Sequence, residues 1–145
     1  MAQDVGQMSS PSIARTLQVR PVRILLVEDS PLLAGRLAEA IAEMPRFEVV
    51  DAVDTEALAL QLFKRSSIDV VLLDLHLRQG TGLGVLRALA RLPRRPFTVI
   101  LTNHDLPEYH AAALELGATD FLDKARAFQR LRKILEETAL LFEVD

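Results

Sequence analysis

Short apolar runs alternate with longer amphipathic stretches along this chain, and the alternation begins only at Pro21. The runs at 23–27, 47–53, 69–73, 97–102 and 119–122 predict strands, whereas 31–44, 55–66, 82–92, 107–116 and 126–141 carry apolar residues at helical spacing and predict helices. Strands that are apolar at nearly every position are buried on both faces, and strict strand–helix alternation gives right-handed crossovers in a parallel sheet. The expected fold is therefore α/β, a five-stranded doubly wound parallel sheet. Leu33, Leu37, Ala40, Ile41 and Met44 form the sheet-facing stripe of the first helix, and Phe128, Leu131, Ile134, Leu135, Thr138 and Leu141 or Phe142 that of the last. Punctuation agrees with these limits. Ser30 can cap the first helix with Pro31 at its opening position, and Pro45 stops it. Asp105 and Leu106-Pro107 open the fourth helix, and Gly117 closes it in a left-handed turn. Residues 1 to 20 are polar and aperiodic, with Ser9-Ser10-Pro11, and read as a mobile tail before one domain spanning 21–145.

Polar residues interrupt the pattern at particular places. Ile24-Leu25-Leu26-Val27 closes on Glu28-Asp29, and Val70-Val71-Leu72-Leu73 closes on Asp74. In an open parallel sheet the carboxyl ends of neighbouring strands converge on one crevice, so these three carboxylates can meet. Like charges brought together raise each other's pKa unless a cation sits among them, and an all-oxygen set suits a hard divalent ion such as Mg2+. Two more strand ends are polar: Thr102 closes the fourth strand, and Lys124 follows the fifth. An anionic oxygen, a cation site, a hydroxyl and an ammonium are the parts that phosphoryl transfer needs.

Composition narrows the classes. With 145 residues, half of them hydrophobic, the chain can bury a sizeable aliphatic core as one domain. It has no cysteine, so disulfides and thiolate metal sites are excluded. A formal net charge of −3 gives no general attraction to nucleic acid, and the Arg87, Arg91, Arg94, Arg95 series reads as a solvated face. No apolar run is long enough to span a bilayer, and the first residues lack the features of a secretory signal, which implies a cytoplasmic protein.

Four segments, in order and at matching spacing, carry a resemblance. They are Val27-Glu28-Asp29-Ser30, Leu72-Leu73-Asp74-Leu75-His76-Leu77 with Gly82 beyond, Ile100-Leu101-Thr102, and Gly117-Ala118-Thr119-Asp120-Phe121-Leu122-Asp123-Lys124. From about Arg23 to Leu141 the chain resembles the receiver domain of two-component response regulators, a flavodoxin-like (βα)5 fold. The resemblance implies that Asp74 is the phosphoacceptor, that Glu28, Asp29, Asp74 and the backbone carbonyl of His76 hold Mg2+, and that Thr102 and Lys124 bind phosphoryl oxygens. It makes Phe121 the aromatic whose packing follows Thr102. The implied partners are a sensor histidine kinase or a histidine phosphotransfer protein, and downstream a target protein or a homodimer on the surface of helix four, strand five and helix five. Because the chain ends soon after the fifth helix, a stand-alone receiver is expected.

Departures from the family pattern are Arg78 and Ala125, where many members have proline, and Asn103, where a small residue is usual. The alternatives are a receiver-fold interaction module that does not cycle phosphate and a phosphatase with an aspartate nucleophile. His76 stands where the dehalogenase-like phosphatases need a second acid. Gly80-Thr81-Gly82-Leu83-Gly84 lacks the spacing and the position of a dinucleotide loop. His76 and His104 flank the expected site.

Overall fold

The computed structural model describes residues 20–103 and 106–142. Strand β1 (Val22–Val27) leads into α1 (Pro31–Ala42), β2 (Phe47–Val53) into α2 (Glu56–Arg65), and β3 (Val70–Asp74) into α3 (Gly82–Leu89). β4 (Phe97–Thr102), α4 (Pro107–Glu115), β5 (Asp120–Asp123) and α5 (Ala127–Ala139) complete the series. Short 3-10 turns at Lys124–Arg126 and Leu140–Phe142 flank α5. All pairings are parallel and the strand order is β2-β1-β3-β4-β5, the doubly wound arrangement expected from the alternation.

Alternate residues of the central strands feed two separate cores. Ile24, Leu26, Val70, Leu72, Val99 and Leu101 pack with Leu37 and Ile41 of α1 and with Leu131, Ile134 and Leu135 of α5. Leu25, Val27, Val71, Leu73 and Ile100 pack on the opposite face with Ala59 and Leu62 of α2, Val85, Leu86 and Leu89 of α3 and Ala113 of α4. Burial on both faces holds for β1, β3 and β4. It fails at β2 and β5, which lie at the edges and have only one neighbouring strand each.

Local chemistry sets the ends. Ser30 Oγ accepts from Leu33 N–H at 3.2 Å with Pro31 in the first turn, as expected, and Thr55 and Thr81 cap α2 and α3 in the same way. Gly117 takes φ +103 just beyond α4, the left-handed stop its position predicted. Three elements differ from the sequence reading. α1 ends at Ala42, short of Pro45, in a turn where Met44 N–H donates to Ile41. α3 ends at Leu89 rather than 92, because Arg91 and Leu92 close three-residue turns toward Pro93. In α5 Leu131, Ile134 and Leu135 are buried as expected, but Ala127 and Ala139 take the places expected for Phe128, which is 47% exposed, and for Thr138. Leu141 is exposed too, whereas Phe142 turns back and meets Phe97 edge-on at 5.6 Å.

Candidate functional site

Strand register builds the site. Val27 pairs with Leu73, so Glu28 and Asp74 leave the sheet side by side, and Asp74 itself pairs with Leu101. Thr102 ends β4 opposite Asp123, one residue before Lys124. The expected residues thus converge from four neighbouring strands at one end of the sheet, as the rule for open α/β sheets requires. Gly82 makes the approach possible. Its N–H donates to Leu75 O at 2.9 Å, and a Cβ there would lie 2.6 Å from Leu75 Cα and collide with the Asp74 carbonyl oxygen.

Glu28, Asp29 and Asp74 each offer a carboxylate oxygen within 4.8 Å of the others, with Glu28 and Asp74 buried and Asp29 exposed. Ser30 N–H holds Glu28 Oε2 at 2.9 Å, and His76 N–H holds Asp74 Oδ1 at 3.0 Å. Lys124 Nζ bridges the remaining oxygens, 2.9 Å from Glu28 Oε1 and 2.8 Å from Asp74 Oδ2. One ammonium therefore serves two buried carboxylates. Burial lifts the Glu28 carboxyl to about 7, and the charge of Asp74 adds to the lift against the opposing pull of Lys124 and Ser30. For Lys124 burial works against the charge, yet Asp74 and Glu28 outweigh it and hold the ammonium above its ordinary value.

The group fits a hard divalent cation. Glu28 Oε1 is buried without a well-angled hydrogen bond, its ion-pair neighbour Lys124 apart, and every donor in the trio is a carboxylate oxygen. The His76 carbonyl, the fourth expected ligand, belongs to the loop whose N–H already touches Asp74.

Asp29, Asp74, Thr102, Asn103, Phe121 and Lys124 line one open cavity of about 310 Å³, which continues under α4 past Leu106, Tyr109 and His110. Every residue named for the site from sequence thus borders the cavity or the carboxylate trio that opens into it. His104 and Asp105 lie outside the described residues. Sequence reasoning missed His110, whose ring stacks on Phe121 with centroids 3.7 Å apart and planes at 11°. The exposed His76 ring meets Tyr109 edge-on at 5.6 Å, so it has a partner on α4. The Tyr109-His110 pair at the start of a predicted helix beside the crevice was the available signal. No cis peptide occurs among the described residues, the Lys124–Ala125 bond included.

Residues 24–136 match the family described as the response regulator receiver domain. An uncharacterized response regulatory protein of Vibrio cholerae is 34% identical over 114 residues, which is 78% of this chain and 43% of that protein. A protein-glutamate methylesterase/protein-glutamine glutaminase of Saccharophagus degradans is 34% identical over 110 residues, 74% of this chain and 31% of that protein. The response regulatory domain of mrkE from Klebsiella pneumoniae has the same fold, with a TM-score of 0.76 at 22% identity over 83% of this chain and 97% of its own. So does the response regulator domain of Thermotoga maritima CheB, with a TM-score of 0.75 at 22% identity over 87% and 99%. This chain belongs to the receiver-domain family of two-component response regulators, and it spans less than half the length of these curated relatives.

Proposed function

We propose that the domain accepts a phosphoryl group on Asp74 from a phosphohistidine and signals by protein contact. The observation that carries this is the carboxylate trio of buried Glu28 and Asp74 with exposed Asp29, with Lys124 across the two buried members, opening into a cavity bordered by Thr102. One Asp74 oxygen attacks phosphorus in line, forming an acyl phosphate as the P–N bond of the donor breaks; the electron pair stays on the imidazole nitrogen, which takes a proton from solvent. Glu28, Asp29, Asp74 and the His76 carbonyl would hold Mg2+, which when bound neutralises charge on the transferring oxygens. Lys124 and Thr102 bind those oxygens, and Lys124 exchanges part of its contact with Asp74 for the new phosphoryl group.

The donor is a sensor histidine kinase or a histidine phosphotransfer protein in the cytoplasm. The readout is the surface of α4, β5 and α5, where a target or a second copy binds. Acetyl phosphate or phosphoramidate with magnesium should add one acid-labile phosphoryl group by intact mass, and Asp74→Asn should abolish it. Labelling that survives in this variant overturns the assignment of Asp74. A chain that takes no label at all is an interaction module on the receiver fold.

A further inference from the structure

The loop that follows Asp74 does not stand alone. Within residues 75–81, Arg78, Gln79 and Thr81 are fastened to residues 54–56, which run from the end of β2 into the first residue of α2. Arg78 Nε and its terminal nitrogen donate to the two carboxylate oxygens of Asp54 at 2.8 and 3.3 Å, and Arg78 N–H donates to Asp54 O at 3.0 Å. Glu56 N–H donates to Gln79 O at 3.0 Å, and Glu56 Oε1 accepts from Thr81 N–H at 3.0 Å. Thr55 and Gln79 form an isolated parallel bridge, and His76 bridges Thr81 across the loop. Gly80 takes φ +78 beneath the Glu56 side chain, where a Cβ on Gly80 or Gly84 would collide. Arg78 stands where many receivers have proline; a ring there would remove both the N–H and the guanidinium that close this clamp.

We propose that Asp54 and Glu56 are positioning residues for the phosphoacceptor loop, acting through Arg78 and Thr81 to fix His76 against Asp74. Proline stiffens such a loop by restricting its own backbone, whereas here a bidentate ion pair and cross-loop hydrogen bonds do so from a neighbouring segment. The consequence lies at the site: the clamped loop carries the N–H that holds Asp74 Oδ1 and the carbonyl that the functional reading assigns to magnesium. Loosening the clamp therefore weakens magnesium binding without touching any carboxylate of the trio. In its magnesium arm the inference rests on the phosphoacceptor reading; in its loop arm it does not.

Two measurements on the full chain separate these arms. In metal-free protein, amide exchange at His76, Thr81 and Gly82 should quicken about fivefold in Arg78→Ala and Asp54→Asn, as for loss of one well-formed surface pair, and more in Glu56→Ala, which removes the acceptor of Thr81 N–H. The charge-reversed pair Asp54→Arg with Arg78→Asp should restore part of the protection. In a magnesium titration followed by thermal melting, the midpoint should rise about tenfold in the single variants, the low end for loss of a group that orients a ligand. Glu56→Ala is the variant most exposed to misfolding, so the Asp54 and Arg78 variants decide. Unchanged exchange in both overturns the clamp, whatever magnesium does. Faster exchange with an unchanged midpoint overturns its role at the site while wild-type labelling of Asp74 keeps the functional reading intact.

Discussion

Strand β3 has an aspartate at each end, and the two could hardly be treated more differently. Asp69, just before the strand, is 5% exposed and fully served: the Arg20 guanidinium donates to both oxygens at 2.9 Å, and Arg23 N–H adds a third bond at 2.9 Å. Burial opposes its charge, but Arg20, Arg23 N–H and the more distant Arg94 outweigh it and hold the carboxyl below its ordinary value. Asp74, at the other end, is equally buried yet shares one ammonium with Glu28 and has a third carboxylate within 4.8 Å. A buried charge with good partners is a structural joint, whereas buried charges short of partners mark where something else is meant to bind. The crevice carries the unmet charge, and the opposite rim carries the satisfied one.

The largest effect should come from breaking the satisfied end. Asp69→Ala leaves Arg23 N–H without its acceptor beside the strand start and should cost about 2 kcal/mol in urea unfolding, the scale of hydrogen bonds to a charged group. Magnesium response and phosphoryl labelling should survive. A loss below roughly 0.5 kcal/mol, the size of an ordinary surface change, would remove Asp69 as a joint.

Opposite pH signatures sharpen the contrast. Asp69 has a depressed folded pKa, so its contribution is present above its unfolded value of 3.8 and is lost as pH falls through the folded one. Glu28 runs the other way. Its folded pKa of about 7 lies above the unfolded 4.5, so its contribution is complete below 4.5 and disappears as pH rises through 7. In metal-free buffer, Glu28→Gln should gain stability relative to wild type between pH 4.5 and 8, read as the difference between two melting curves. A difference that stays flat with pH would show that Glu28 ionises as freely folded as unfolded.

Magnesium should act at one end only. At pH 8, where the trio is most charged, the ion should raise the wild-type melting temperature by several degrees, the response expected at a concentration well above Kd. Asp29→Ala should lose most of that shift and Asp69→Ala none of it. Equal shifts in wild type and Asp29→Ala would place any binding elsewhere.

The same contrast explains what was legible in the sequence. Glu28, Asp29, Asp74, Thr102 and Lys124 were conspicuous because each closes or follows an apolar run, and strand ends on one side of a parallel sheet must meet. Asp69 also touches such a run, but its meaning lay in Arg20, 49 residues away and counted with the polar lead-in. Nothing in local periodicity links the two. Asp54 and Arg78 were hidden in the same way, since loop-to-loop pairing leaves no pattern along the chain. At the start of α5 the larger Phe128 was chosen over its neighbour Ala127, although Ala127 is the one on the buried face with Leu131, Ile134 and Leu135; sheet packing resolves this and a count of apolar residues does not. The strand ends were readable because backbone geometry alone brings them together; the partners of exposed arginines were not, because side-chain reach decides them.

The smallest expected effect concerns how the unmet charge is read at a distance. α4 buries only Ala113 among its residues and exposes Leu114, with Tyr109 half-exposed, so little apolar packing holds it. Its links to the site include two ring pairs, His110 on Phe121 and Tyr109 on His76. Under the proposed function Thr102 is drawn toward the phosphoryl group; Phe121 borders the same cavity, and any movement of Phe121 must break or carry its stack with His110. A beryllofluoride mimic bound at Asp74 should therefore change amide exchange in α4 and β5 by a few-fold and shift self-association or affinity for a partner, with β2 and α2 unchanged. Thr102→Ala should bind the mimic but lose the change in α4. Identical exchange in α4 and β5 with and without bound mimic would mean that the charge at the crevice is stored there and not transmitted.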